Sequence, residues 1–132
     1  MEIAKGKLQN TKAINKEELQ ERLLNFAVRT IKLLEKMDKN FVGRQIAGQL
    51  IRSASSAGAN YEEACGAESR SDFVHKLQIV LKELRESAYW FRLIKKLELI
   101  PAQEVSGVSD ECKELSNIIG KSILTAKENK KV

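Results

Sequence analysis

The sequence predicts an all-α protein, an antiparallel up-down-up-down four-helix bundle. Two observations carry that expectation. Four stretches repeat apolar residues at steps of three and four, the period of one helix face, and only short polar breaks separate them. One proline, seven glycines and no cluster of turn dipeptides leave little to interrupt long helices. Four helices joined by short loops pack most simply as antiparallel neighbours. A chain of 132 residues, 42% hydrophobic and 31% charged, suits one soluble domain of this kind.

Residues 1–15 scatter Ile3, Leu8 and Ile14 among lysines and glycine, which predicts an irregular N-terminal arm. Asn15 suits the N-cap of a first helix, with Glu17 and Glu18 in the turn where the helix dipole favours acids. Leu19, Leu23, Phe26, Thr30, Leu33 and Met37 then share a face, flanked by Leu24, Ala27, Ile31 and Leu34, so the helix is expected over 16–37. Asp38, Lys39 and Asn40 make the turn. A second helix over 42–65 points Ile46, Leu50, Ala57, Tyr61 and Ala64 inward. Its middle, from Ser53 to Ala59, is built of small residues that let a neighbouring backbone approach. Gly58 costs roughly 1 kcal/mol against alanine in a helix interior, which implies close packing there.

Gly66 and residues 67–70 end the second helix, and Ser71 is the expected cap of a third over 72–97, with Asp72 in its first turn. Phe73, Leu77, Val80, Leu84, Phe91 and Ile94 form its stripe, with Ser87 the one polar member and Val74, Leu81 and Ala88 alongside. Ile79, Trp90 and Leu93 fall outside the stripe. A lone bundle cannot cover so much apolar surface, so these three are candidates for a subunit interface. Pro101 suits the first turn of a fourth helix over 102–127, striped by Val105, Val108, Cys112, Leu115, Ile119, Ser122 and Ala126, with Ile118, Ile123 and Leu124 beside them. The bundle thus occupies 16–128, and 129–132 form a polar tail.

Several function classes find no support in the residues. No apolar run approaches the ~20 residues of a membrane span, and residues 1–16 lack the apolar centre of a signal peptide. A cytoplasmic location without membrane partners is expected. Cys65 ends the second helix and Cys112 lies well inside the fourth. In an antiparallel bundle that separates them by roughly 20 Å along the axis at ~1.5 Å per residue, beyond the ~7 Å between Cα atoms that a disulfide spans. Two free, buried thiols are expected. There is no CxxC, and the single histidine, His75, cannot build a metal site with two distant cysteines. No metal or cofactor is expected. Glu83 and Glu86 stand one helical turn apart, as an acidic catalytic pair would. With no ligand set, nucleophile or glycine-rich loop nearby, no catalytic residue is assigned and the chain reads as a non-enzyme.

Two segments carry a family resemblance: QLIRSASSAGANYEEA from Gln49, and SDFVHKLQIVLKELRESAYWFRLI from Ser71. Arg52, Ser53, Ser56, Asn60, Glu63 and Ala64 carry it in the first. Phe73, Lys76, Leu77, Lys82, Glu83, Glu86, Tyr89 and Trp90 carry it in the second. In these the chain resembles the four-helix bundle proteins that include those encoded in intervening sequences of bacterial 23S rRNA genes. The first and fourth helices match in pattern and length only. Where many such proteins turn through Phe-Pro, this chain has Met37-Asp38-Lys39-Asn40, and Glu98 stands where a glycine is frequent. The resemblance implies a homo-oligomer, with a pentamer favoured. It also points to an accessory protein of diversity-generating retroelements, a similar basic bundle thought to bind nucleic acid and reverse transcriptase.

The second and third helices form a hairpin turning near residue 69, so facing positions sum to roughly 138. Arg52 then faces Glu86, Glu63 faces His75 and Lys76, and Ser56 faces Lys82. Salt bridges Arg52–Glu86 and Glu63–Lys76 are expected, within a polar seam that also takes in Asn60 and Glu83. Such a seam fixes register at little net gain in stability. His75, beside Glu63, is expected to be hydrogen-bonded and structural.

A second pattern runs along the third helix. Gln78, Lys82, Arg85, Tyr89, Arg92 and Lys96 fall within about 80° of one another at 100° per residue. This basic ridge with one aromatic is a candidate surface for phosphate backbones, which are bound without reading bases. It reads equally as a solvated face, or as one whose cations pair with acids on a neighbouring helix. The chain carries a net charge of +5, concentrated in residues 1–40 and 71–100, an excess that solubility also accounts for. No RNA-binding motif of the RRM, KH or OB type is present. Two readings follow. One is a non-catalytic oligomeric protein associated with RNA or DNA through Lys82, Arg85, Tyr89, Arg92 and Lys96. The other is a structural or protein-interaction module that binds no nucleic acid. Exposure of the ridge separates them.

Overall fold

The structure, a computed structural model, describes residues 14–129. It is built of four helices: α1 (Lys16–Leu34), α2 (Phe41–Cys65), α3 (Arg70–Lys96) and α4 (Ala102–Asn129). Each packs on its two neighbours in the ring α1–α2–α3–α4, and the α2–α3 hairpin makes the most extensive seam. This is the expected up-down-up-down bundle. The expected N-terminal arm, apart from Ile14 and Asn15, and residues 130–132 of the tail lie outside the described residues.

The helix starts follow side-chain chemistry. Asn15 accepts the Glu18 amide at 2.8 Å, and Asn40 accepts the Gly43 amide at 2.8 Å. For α3 the cap is Ser69, which accepts from the Asp72 amide at 3.1 Å, rather than Ser71. Both serines are suitable acceptors. What selects Ser69 is its extended backbone, and the helix gains Arg70 and Ser71. At its other end α1 stops at Leu34, three residues short of the expected limit. Lys36 and Met37 instead close tighter turns onto Leu33 and Leu34, and Met37 still reaches the core.

The core matches the apolar stripes except that Phe73 is half-buried at its edge and one exchange occurs on α4. On α4, Ile123 is buried and Ser122 half-buried, with its hydroxyl donating to the Ile118 carbonyl. A stepping of seven drifts by ~20° per heptad on a straight helix, so by the third heptad the neighbouring position turns inward. Phe26 of α1 and Phe91 of α3 meet edge to face at 6.2 Å across the centre.

The small-residue stretch of α2 faces two neighbours. Gly58 lies over the Leu23 backbone of α1, where an added Cβ would stand 3.6 Å from the nearest Leu23 atom. The approach is close, as expected, yet a methyl group fits in ordinary contact. A stricter requirement for glycine falls at Gly43, where a Cβ would collide with the Asp38 carbonyl oxygen. On the other side Ser53 and Ser87 share a buried hydrogen bond of 2.8 Å. Both hydroxyls also reach carbonyls of their own helices, those of Leu50 and Glu83, so burying them leaves nothing unsatisfied.

α3 ends with two reversed bonds. The Glu98 amide donates to Lys95 and the Leu99 amide to Ile94, the Schellman pattern. Glu98 is the residue this pattern holds in the left-handed region, at φ 55°, and it is the one non-glycine with positive φ among the described residues.

Candidate nucleic-acid interface

The α2–α3 seam orders the outer face of α3. Arg52 reaches across from α2 and grips two carboxylates, Glu83 at 3.0 Å and Glu86 at 2.5 Å. Trp90 donates its indole N–H to the same Glu86 oxygen at 3.1 Å. Arg52 first and Trp90 second therefore hold the Glu86 carboxyl below its ordinary range. Further along, Lys76 binds Glu63 at 2.7 Å. Both expected salt bridges are present, and the carboxylates of Glu83 and Glu86 are engaged by one guanidinium. Asn60, placed in the seam by sequence, turns back and donates to the Ser56 carbonyl at 2.8 Å. His75 does not join Glu63. It is exposed and, among the described residues, has no hydrogen-bond partner, because Lys76 occupies the carboxylate instead.

With the seam closed, the opposite edge of α3 is left to solvent. Gln78, Lys82, Arg85, Tyr89, Arg92 and Lys96 are all exposed. Among the described residues none of the four ridge cations pairs with a carboxylate; the bridging cations are Arg22, Lys36, Arg52 and Lys76. Lys82, which sequence set opposite Ser56, is exposed one turn before Glu86 and adds its charge to those lowering that carboxyl. Tyr89 is half out of the protein and stacks edge to face on Trp90 at 5.1 Å, so its ring is braced rather than loose. The ridge is thus a line of four unpaired cations with one supported aromatic.

The ridge lies toward α4. There Leu81 and Arg85 of α3 form one side of an open groove, and Lys113, Asn117, Gly120 and Lys121 of α4 form the other. Spacing analysis of α3 alone missed this second wall. Residues 101–132 balance five cations against five acids, so net charge hid it, although Lys113, Asn117 and Lys121 recur at steps of four. Glu111 turns to Arg22 of α1 at 2.6 Å, and Glu114, which also lines the groove, reaches the same guanidinium at 3.3 Å, while Asp110 lines the groove without a salt bridge among the described residues. Glu111 above all raises the pKa of Arg22.

Ile79, Trp90 and Leu93 are half-buried within the chain, Trp90 and Leu93 packed against the core. More apolar surface stands open on α1, at Leu24, Val28 and Ile31, with Ile51 of α2. Cys65 and Cys112 are free thiols. Burial pushes the Cys112 thiol up to about 12, and the thiol donates to the Leu84 carbonyl at 3.2 Å, tying α4 to α3. Burial likewise raises Cys65 and Tyr61. Among the described residues, no three His, Cys, Asp or Glu side chains gather as a metal site, and no helix is long and apolar enough to cross a membrane.

Fold and surface together define a four-helix bundle with salt bridges across the α2–α3 and α1–α4 seams and a basic edge on α3. The chain belongs to the 23S rRNA-intervening sequence protein family, whose model matches residues 15–121. Among solved structures it is similar to a protein of unknown function from the S23 ribosomal protein family of Bacteroides thetaiotaomicron. The two are 34% identical with a TM-score of 0.73, over 80% of this chain and 97% of that one. No curated protein matches the chain.

Proposed function

We propose that this protein is a non-catalytic, oligomeric, cytoplasmic bundle that associates with nucleic acid, RNA or DNA, through the basic ridge of α3. The observation that carries the proposal is the state of the ridge: Lys82, Arg85, Arg92 and Lys96 are exposed and, among the described residues, form no salt bridge, while Glu83, Glu86 and Glu114 are engaged by Arg52 and Arg22. Cations left free along a helix attract phosphates and release their counterions. Tyr89, braced by Trp90, adds a stacking face for an unpaired base. The two neighbouring glutamates serve as acceptors for Arg52, which speaks for a structural use of that pair. The family resemblance favours five copies, and repetition of the ridge would turn weak single contacts into useful avidity.

Binding should weaken with salt. Four phosphate contacts give a log–log slope of about −3, at −0.7 to −0.9 each. Reversing Arg85 and Arg92 to Glu should abolish binding while leaving helical circular dichroism and particle size unchanged. Binding that survives the double reversal would exclude the ridge as the contact surface.

A second reading rests on a different observation. Leu24, Val28 and Ile31 of α1 and Ile51 of α2 leave an apolar strip open, which suits a structural or protein-interaction module. Absence of nucleic-acid binding by the unmutated protein at low salt would favour it.

A further inference from the structure

We infer that a single nucleic-acid strand lies in the groove between α3 and α4, with its phosphates held by cations of both helices. The inference rests on the proposed nucleic-acid association and specifies its geometry. The groove is open, with a volume of about 830 Å³. Arg85 stands on its α3 wall, Lys113 and Lys121 on its α4 wall, and Asn117 adds neutral hydrogen-bonding groups between the lysines. One cation of α3, Arg85, and two of α4, Lys113 and Lys121, thus border the same groove.

The floor suits a close-fitting strand. Gly120 has nothing within 4 Å of the position its Cβ would take, so backbone rather than side chain meets the groove there. Leu81 supplies an apolar contact. Tyr89 follows Arg85 on the ridge by one turn and is exposed, where an unpaired base of the same strand could stack on it. Two carboxylates also line the groove, Asp110 and Glu114. Glu114 is already engaged by Arg22. Asp110 remains as the one repulsive group, so Asp110→Asn should tighten binding.

The test uses fluorescence anisotropy on the full chain, with a short oligouridylate strand and a blunt RNA duplex as probes. The single strand should bind more tightly than the duplex. Lys113→Gln/Lys121→Gln should weaken strand binding and flatten the salt slope by about 1.4, the share of two phosphates on a single strand. Gly120→Gln places a side chain in the groove without changing charge, and should cost at least tenfold in affinity while particle size holds and melting temperature holds or rises, since glycine is a poor helix former. If Arg85→Glu/Arg92→Glu abolishes binding but the α4 variants bind as the unmutated protein does, the groove is overturned and the ridge proposal stands. A duplex bound as tightly as the strand overturns the single-strand assignment. No binding by the unmutated protein overturns the nucleic-acid proposal itself, and this inference with it.

Discussion

Glu98 pays a conformational cost that its neighbours need. The Schellman turn after α3 requires a left-handed residue, and the glutamate adopts φ 55° to supply it. A side chain with a Cβ loses roughly 1–2 kcal/mol in that region, part of which a glycine returns through its freer unfolded chain. Glu98→Gly should therefore raise stability by about 0.5–1 kcal/mol in denaturant melts. An unchanged or lowered midpoint would mean that Glu98 is held by an interaction stronger than its strain. Gly43 is the opposite case. Its helical position gives no sign of a special backbone, yet the Asp38 carbonyl leaves no space for a methyl group. The need was invisible in sequence because it arises from the path of the preceding turn, not from the helix pattern.

The α2–α3 hairpin is the element whose register was most legible. One turn position fixed which residues oppose each other, and Arg52, Glu86, Glu63 and Lys76 met as the facing rule required. The rule did not show that Arg52 would take Glu83 as well, because a guanidinium reaches two acceptors one turn apart. Nor did it show Asn60 returning to its own helix, a local bond always open to Asn. The third helix seemed to carry surplus apolar surface at Ile79, Trp90 and Leu93. Part of it is covered within the chain, where the Trp90 indole lies back against Glu86 of the seam, and all three residues stay half-buried.

The seam's energetics follow from its partial burial. The Arg52 side chain is 48% exposed, but Glu83 is only 10% exposed. Arg52→Ala should cost more than the ~1 kcal/mol of a surface pair and less than the 3–5 kcal/mol of a fully buried one. Replacing Arg52, Glu83 and Glu86 together by apolar residues should recover most of the loss. The folded Glu86 carboxyl titrates below its ordinary value. Its contribution is therefore present above that ordinary value and fades as pH falls through the lowered one. Arg52→Ala should flatten the acid limb of a stability–pH profile. An identical acid limb in the variant and the parent would show that the pair does not govern it.

At the scale of the whole molecule, four amphipathic stripes and three short connections were enough to give the architecture, whereas surfaces were harder to read. The ridge could be drawn on a helical projection, but whether acids would cover it depended on which way Glu111 and Glu114 turned. They turn toward α1. In sequence Leu24 and Ile31 read as the flank of the α1 core stripe, whereas they stand exposed together with Val28. If the chain assembles, light scattering at micromolar concentration should give a multimer, with five chains of 14.9 kDa favoured. Leu24→Glu/Val28→Glu should shrink the particle if α1 is the contact, and Trp90→Ala/Leu93→Ala if α3 is. A strictly monomeric parent would end the oligomer proposal.

The ring of helices is not closed with equal strength. α1 is the shortest of the four, and its contact with α4 is the least extensive. Arg22 with Glu111 and Glu114, and Lys36 with Glu104, bridge the two helices. Charged contacts near water lose strength as ions are added, while the apolar centre does not. The α1–α4 edge is therefore where the bundle is expected to open first. Amides of α1 should exchange with deuterium through local opening, sooner at high salt than at low. Those of the α2–α3 hairpin should wait for global unfolding.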